Sequence, residues 1–200
     1  MRNTYKKAII GVGRPRCGKK THLQYLADEL KAPYIDMGEF LRNLKTELEK
    51  NGKIDPLLAP LANTGYVDNG TIMSIFKHWT ADKLKSKYLI LDGIPRNIEQ
   101  AKTVLPFLKN NGGFTVHTLW FSTPARACMD RPARDGREDD SPEKAAKRML
   151  DFEKMTEPMF DLMATRTRLL EVDNTHREIH AVREEIAGFL DIKHILSSAA

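Results

Sequence analysis

Five short apolar runs punctuate the chain: KAIIGVG (7–13), PYIDM (33–37), KYLILDG (87–93), TVHTLWF (115–121) and LLEVDN (169–174). Their β-branched and other apolar residues read as strands. Between them the hydrophobic positions follow a helical period. In THLQYLADELK, Leu23, Leu26 and Leu30 fall at i, i+3 and i+7, one face of a helix. EFLRNLKTELEK repeats the pattern with Phe40, Leu41, Leu44 and Leu48. A third helical stretch runs from Ser141, a cap, through Pro142 at the first helical position. Pro158 interrupts it, since a proline inside a helix removes a hydrogen bond and kinks or divides it. REIHAVREEIAGFL closes the pattern as an amphipathic helix, and only the terminal SSAA reads as loose. Strands alternating with helices predict an α/β fold with a five-stranded parallel sheet covered on both faces.

Composition narrows this reading. Two hundred residues suit one domain with one full-sized core, and no repeat or linker divides them. No apolar run reaches the roughly eighteen residues a membrane helix needs, and MRNTYKK carries no secretory stretch. The expectation is a cytoplasmic protein without a membrane partner. Cys17 and Cys128 form no disulfide or metal pattern, which fits a reducing compartment. His176 and His180 stand four apart, but no neighbouring acid or cysteine completes a metal site. Trp79 and Trp120 read as packing residues or surface anchors.

A net charge of +5 invites a nucleic-acid reading, but the arrangement of the cations points elsewhere. Single arginines recur, at Arg42, Arg96, Arg131, Arg134, Arg137 and Arg148, without a basic run interleaved with aromatics. Scattered guanidinium groups suit a small anion bearing several phosphates better than a long duplex.

The stretch GVGRPRCGKKTH (11–22) supplies the place for such an anion. A strand, a glycine-bearing turn and a helix start gather backbone N–H groups around phosphate oxygens, while a lysine reaches the outer phosphates. Gly13 and Gly18 frame the turn, Lys19 is the phosphate lysine, and Thr21 offers the hydroxyl one place later than the usual spacing. Arg16 and Lys20 occupy positions where permissive residues are expected; a left-handed Arg16 bears a strain of roughly 1–2 kcal/mol. Cys17 is either a small filler or a thiol activated by the helix start.

With three further motifs, these residues resemble the adenylate kinase family of nucleoside monophosphate kinases. The family loop reads G-x-P-G-x-G-K-G-T, against GRPRCGKKT here. DMGEFLR is similar to the family's S-T-G-D-x-L-R, with Glu39 for the acid and Met37 for the threonine. LDGIPRNIEQA follows L-D-G-F-P-R-x-x-x-Q-A without a gap from Asp92 to Ala101. The stretch from Arg131 through GREDD to Arg148 resembles the arginine-bearing lid segment, and VDNT the donor-base turn.

The resemblance implies a P-loop nucleoside monophosphate kinase fold: a single domain over 1–200, an inserted acceptor lobe at 36–67 and a minimal lid at 131–142. It implies transfer of the γ-phosphoryl group of Mg·ATP to AMP, by a monomer. Lys19, Arg96, Arg131, Arg137 and Arg148 would be catalytic. Arg16, Cys17, Gly18, Lys19, Lys20, Thr21, Arg131, Arg134 and the backbone at His176 would bind ATP. Met37, Arg42, Gly65, Tyr66, Val67, Gly93, Ile94, Pro95, Arg96, Gln100, Arg137 and Arg148 would bind AMP, and Asp92 would hold Mg²⁺ through water. Asp139 and Asp140 would orient the arginines. Only PARDG separates Arg131 from Arg137, so the lid offers no zinc site, and its brevity predicts slow ATP hydrolysis without an acceptor. Asn97, after GIPR, is similar to the UMP/CMP branch and keeps a pyrimidine acceptor open. Arg16, Lys20 and the short lid leave a second alternative, a nucleotide-binding regulatory module without turnover.

Overall fold

The computed structural model describes residues 5–51, 68–132 and 141–193. Strand β1 (Lys6–Gly13) lies at the centre of a sheet whose order is β2-β3-β1-β4-β5, with β2 spanning Tyr34–Asp36, β3 Tyr88–Asp92, β4 Phe114–Phe121 and β5 Arg168–Val172. All pairings are parallel: β1 runs beside β3 from Lys7↔Tyr88 to Gly11↔Asp92 and beside β4 from Lys6↔Phe114 to Gly13↔Phe121. Each strand coincides with one of the five apolar runs.

Alternate residues of β1 feed two separate cores, as the twofold side-chain period of a strand requires. Ala8, Ile10 and Val12 join Leu89, Leu91, Phe76, Val104 and Trp120 on one face. Ile9 joins Leu23, Leu26, Ile90, Phe121 and Val182 on the other. Helix α1 (Lys19–Leu30) covers the second face with Leu23, Leu26 and Leu30, the three leucines of its apolar stripe. After α2 (Met37–Asn51), helices α3 (Asn69–Thr80) and α4 (Ile98–Gly112) cover the first face. Neither α3 nor α4 stood out in the helical pattern, and α4 carries Pro106 in its interior.

Beyond the short α5 (Ala125–Met129), the long helical stretch divides as its proline suggests. Helix α6 (Pro142–Asp151) starts with Ser141 as cap, its side chain accepting from the Lys144 amide. It passes into a π-helical turn, Phe152–Thr156, and a 3₁₀ turn, Glu157–Met159, that contains Pro158; α7 (Phe160–Arg166) then leads to β5. The last helix, α8 (Ile179–Phe189), packs Val182, Ile186 and Ala187 onto the second face. Trp120 is buried edge-on to Phe160, and Trp79 stacks on Phe40, so both tryptophans pack.

The connection leaving β1 turns toward β2, whereas that leaving β3 turns toward β4. Ligands of open α/β sheets bind where the connections diverge, beyond the carboxyl ends of the strands. Here that point is bounded by the loop after β1 and the DGIPR turn after β3.

Candidate functional site

The loop after β1 reaches α1 through two left-handed residues, Arg16 (φ 63°) and Gly18 (φ 89°). Arg16 thus adopts the conformation that strains a residue with a side chain. Gly18 caps α1 without a side-chain hydrogen bond of its own, an arrangement that suits an anion at a helix start. Two distant side chains hold this backbone. Arg131 donates through Nη1 to the Arg16 carbonyl at 2.9 Å and through Nη2 to the Asn174 carbonyl, while Arg16 Nη1 donates back to the Arg131 carbonyl at 3.3 Å. Asn174 donates through Nδ2 to the Cys17 carbonyl at 2.8 Å and accepts through Oδ1 from His22 Nε2 at 3.3 Å. A side chain on Gly18 would begin 2.5 Å from Asn174 Nδ2 and 3.1 Å from Arg131 Nη1, so the glycine is sterically required.

Cys17 lies buried beneath the loop, and burial pushes its thiol up despite the charge of Lys19. That favours the filler reading over an activated thiol. A cavity of about 390 Å³ opens over the loop, walled by Gly18, Lys19, Thr21, Arg131, Arg177 and Ile179. Thr175 and Arg177, on either side of the exposed His176, line it. Arg177 and Ile179 escaped the sequence reading, which carried no side-chain signal in that turn.

The two lysines at the helix start diverge. Lys19 Nζ lies 3.2 Å from Asp92 Oδ1 at the end of β3, and Tyr34 donates its hydroxyl to Asp92 Oδ2 at 3.0 Å. Burial, followed by the nearby Asp92 and Asp36 charges, pushes the Tyr34 phenol far up and keeps it a donor. Lys20 turns instead to the end of β2 and the start of α2, 2.6 Å from Glu39 Oε2 and 3.2 Å from Asp36 Oδ2. Burial works to lower the Lys20 ammonium, but its bonds to Glu39 and Asp36 outweigh that and raise it. Asp36 also accepts the Glu39 amide at 2.9 Å; burial would raise its carboxyl, yet that amide and Lys20 bring it below the usual range.

At the start of α2, Gly38 marks a convergence. A side chain there would begin 3.2 Å from both Arg42 Nη1 and Arg96 Nη2 and 3.3 Å from Asp36 Oδ1. Arg96 is oriented by its own turn: Nε donates to the Gly93 carbonyl at 2.9 Å, and its carbonyl accepts from Thr156 Oγ1 at 2.8 Å. Gly93 itself is left-handed (φ 75°), and the Ile94–Pro95 peptide is cis. Met37 is buried in the core behind this turn.

Gln100 is buried, with Oε1 accepting the Arg96 amide at 2.8 Å and Nε2 donating to Asn69 at 3.0 Å. Asn97 caps α4 through the Gln100 amide and also donates to Asn69, so its presence has a structural reason. Arg148 sits half-buried in the last turn of α6. Gly65, Tyr66, Val67, Arg134, Arg137, Asp139 and Asp140 lie outside the described residues. A larger cavity of about 710 Å³ lies at the opposite end of the sheet, between Leu105, Phe114, Leu162 and Arg166, away from all of this chemistry.

Phosphate-loop backbone, lysine and paired arginines thus meet beyond the carboxyl ends of β1 and β3. The model of one family, described as "Adenylate kinase", matches residues 11–168, from the end of β1 to the start of β5. The chain belongs to the adenylate kinase family. It is 28% identical over 219 aligned positions to the adenylate kinase of Lachnoclostridium phytofermentans, covering 91% of this chain and 97% of the relative. With the adenylate kinase of Encephalitozoon cuniculi it shares 27% over 169 positions (82% and 88% covered), and with adenylate kinase 1 of Synechocystis 28% over 176 (84% and 88%). The five-stranded parallel sheet flanked by helices fits that family, and the chain is a phosphotransferase of the nucleoside monophosphate kinase class.

Proposed function

We propose that this adenylate kinase relative transfers the γ-phosphoryl group of Mg·ATP reversibly to AMP, with the residues of the two half-sites in distinct roles. The observation that carries the reading is the placement of Lys19 between the donor cavity and the Arg42–Arg96 convergence over Gly38. In phosphoryl transfer the protein mainly positions the reactants and neutralises charge on the moving group. The amides of residues 16–21 and Lys19 hold the donor phosphates, and Arg131 borders the donor cavity. Arg42 and Arg96 hold the acceptor phosphate by forked contacts. Arg137 and Arg148 complete the cationic set, with Arg134 on the donor side. The inserted segments at 36–67 and 131–142 act as acceptor lobe and lid, with Gly65, Tyr66 and Val67 beside the acceptor base.

Mg²⁺ keeps several waters and asks for one or two carboxylates beside substrate phosphates. Buried Asp92 stands at the end of β3 and already faces Lys19, so its carboxylate suits an ion held through water. Bound there, such an ion would supply charge neutralisation for the phosphates. Gln100 supports the acceptor pocket from behind, its second Nε2 hydrogen remaining for a base edge.

The test is ATP and Mg²⁺ incubated with AMP, CMP, UMP or GMP in turn, products resolved by chromatography. ADP formed from AMP alone is expected. Turnover with UMP or CMP instead would move the chain to the pyrimidine branch, and ATP binding without turnover on any acceptor would overturn the reading.

A further inference from the structure

The geometry points to Lys20 as an acceptor-side positioning residue, matched to Asp36, that sets the charge of the cradle for the acceptor phosphate. The inference rests on the proposed transfer to a monophosphate and assigns to that site a component its motifs do not contain. Lys20 stands where the family loop has glycine, and Asp36 where the family's S-T-G-D opens with serine. These two departures lie sixteen residues apart in sequence and meet in space at 3.2 Å. Glu39 closes the group at 2.6 Å from the same ammonium.

The chemistry explains why one departure needs the other. Asp36 Oδ1 reaches the space over Gly38 that the Arg42 and Arg96 guanidinium groups also reach. A phosphate drawn to those arginines therefore meets a carboxylate that serine would not present. Glu39 brings a second negative charge at the same helix start. With both acids ionised, two carboxylates offset the two guanidinium groups that meet over Gly38 and weaken their pull on an anion. Lys20 returns one positive charge and engages Asp36 Oδ2. The side chain spans the two halves of the site: its backbone belongs to the donor helix start, its charge to the acceptor side. Asp36 meanwhile keeps its conformational duty, accepting the Glu39 amide as a helix cap, which serine can also do.

The experiment compares full-length wild type with Lys20→Gly, Lys20→Arg, Asp36→Ser and the double variant Lys20→Gly/Asp36→Ser, measuring kcat and KM separately for donor and acceptor, with calorimetric binding of the monophosphate alone. Lys20→Gly should raise the acceptor KM and the monophosphate Kd about tenfold while the ATP KM stays within about twofold. Asp36→Ser placed on top should restore the acceptor KM to within about threefold of wild type, and Lys20→Arg should retain it. The Lys20→Gly effect should shrink as salt is raised. A rise in the ATP KM with an unchanged acceptor KM would make Lys20 a donor-phosphate ligand and overturn the inference. Losses that simply add in the double variant would overturn the pairing. Thermal unfolding of each variant separates misfolding from a charge effect. A wild-type enzyme that turns over AMP without this split defeats the inference alone, whereas failure of the proposed function shows as wild type inert toward every monophosphate.

Discussion

The donor and acceptor halves of the site are held by different means. In the donor half, Arg131 and Asn174 grip carbonyl oxygens of the phosphate loop, and His22 braces Asn174. Those bonds fix the path of a backbone whose amides would do the binding in the proposed function. In the acceptor half, Lys20, Asp36, Glu39, Arg42 and Arg96 crowd around Gly38, and the side chains themselves carry the charge. The donor half is therefore a matter of shape and the acceptor half a matter of charge balance. Damage to the first should appear in loop integrity and stability, and damage to the second in the salt-dependent affinity for one substrate.

The largest effect belongs to the residue that both halves share. Lys19→Met should lower kcat at least about a hundredfold with the fold retained, read by steady-state kinetics beside circular dichroism. The next contrast breaks the halves apart. Arg96→Ala should raise the acceptor KM about ten- to a hundredfold at unchanged ATP KM, as loss of charge-assisted bonds to one phosphate requires. Arg131→Ala should do the reverse and also lower the melting temperature, because the Arg16 and Asn174 carbonyls lose their donor. If both variants shifted both KM values alike, the division into halves would fail.

Asn174→Ala sharpens the same comparison on a smaller scale. It removes the bond to the Cys17 carbonyl and leaves buried His22 Nε2 without its acceptor, at about 1–3 kcal/mol. Differential scanning calorimetry should show a fall of several degrees.

The smallest effects concern pH. Burial, only partly opposed by the bond to Asn174, holds His22 below the ordinary histidine range, and burial pushes His117 down to about 4. As pH falls below about 6.5, the unfolded chain takes up protons that these native side chains resist, so stability drops. For His117 the loss reaches about 3 kcal/mol by pH 4. Asp36, held below its usual range, contributes stability that is kept above that range and lost only in stronger acid. Between pH 6.5 and 4.5 acid should therefore lower global stability through His117 and loosen the donor-half brace through His22, before Asp36 on the acceptor side is affected. His22→Gln and His117→Gln should each flatten the fall in melting temperature over that interval.

What could be read from the chain in advance follows the distance over which each feature is encoded. The five strands, the leucine stripe of α1 and the break at Pro158 are local patterns, and each appears where the pattern placed it. The left-handed Arg16 was also legible, because the loop imposes its own backbone. The destinations of side chains were not. Lys20 pointed by motif to the donor phosphates, yet its ammonium rests on Asp36 and Glu39. Asn174 was read only as part of the donor-base turn VDNT, whereas its amide ties that turn to Cys17 across 157 positions. Asn97 suggested an acceptor preference, and its side chain caps α4 and joins Asn69. Arg177 and Ile179 enter the donor cavity only because α8 starts there. Such choices depend on neighbours remote in sequence, which no periodicity records.

The contact between Lys19 and Asp92 makes the resting enzyme its own first ligand. Under the proposed function, a triphosphate would have to displace this built-in anion to claim the ammonium. Occupancy of the pocket would then be an exchange of partners that leaves the Asp92 carboxylate available to hold a hydrated metal.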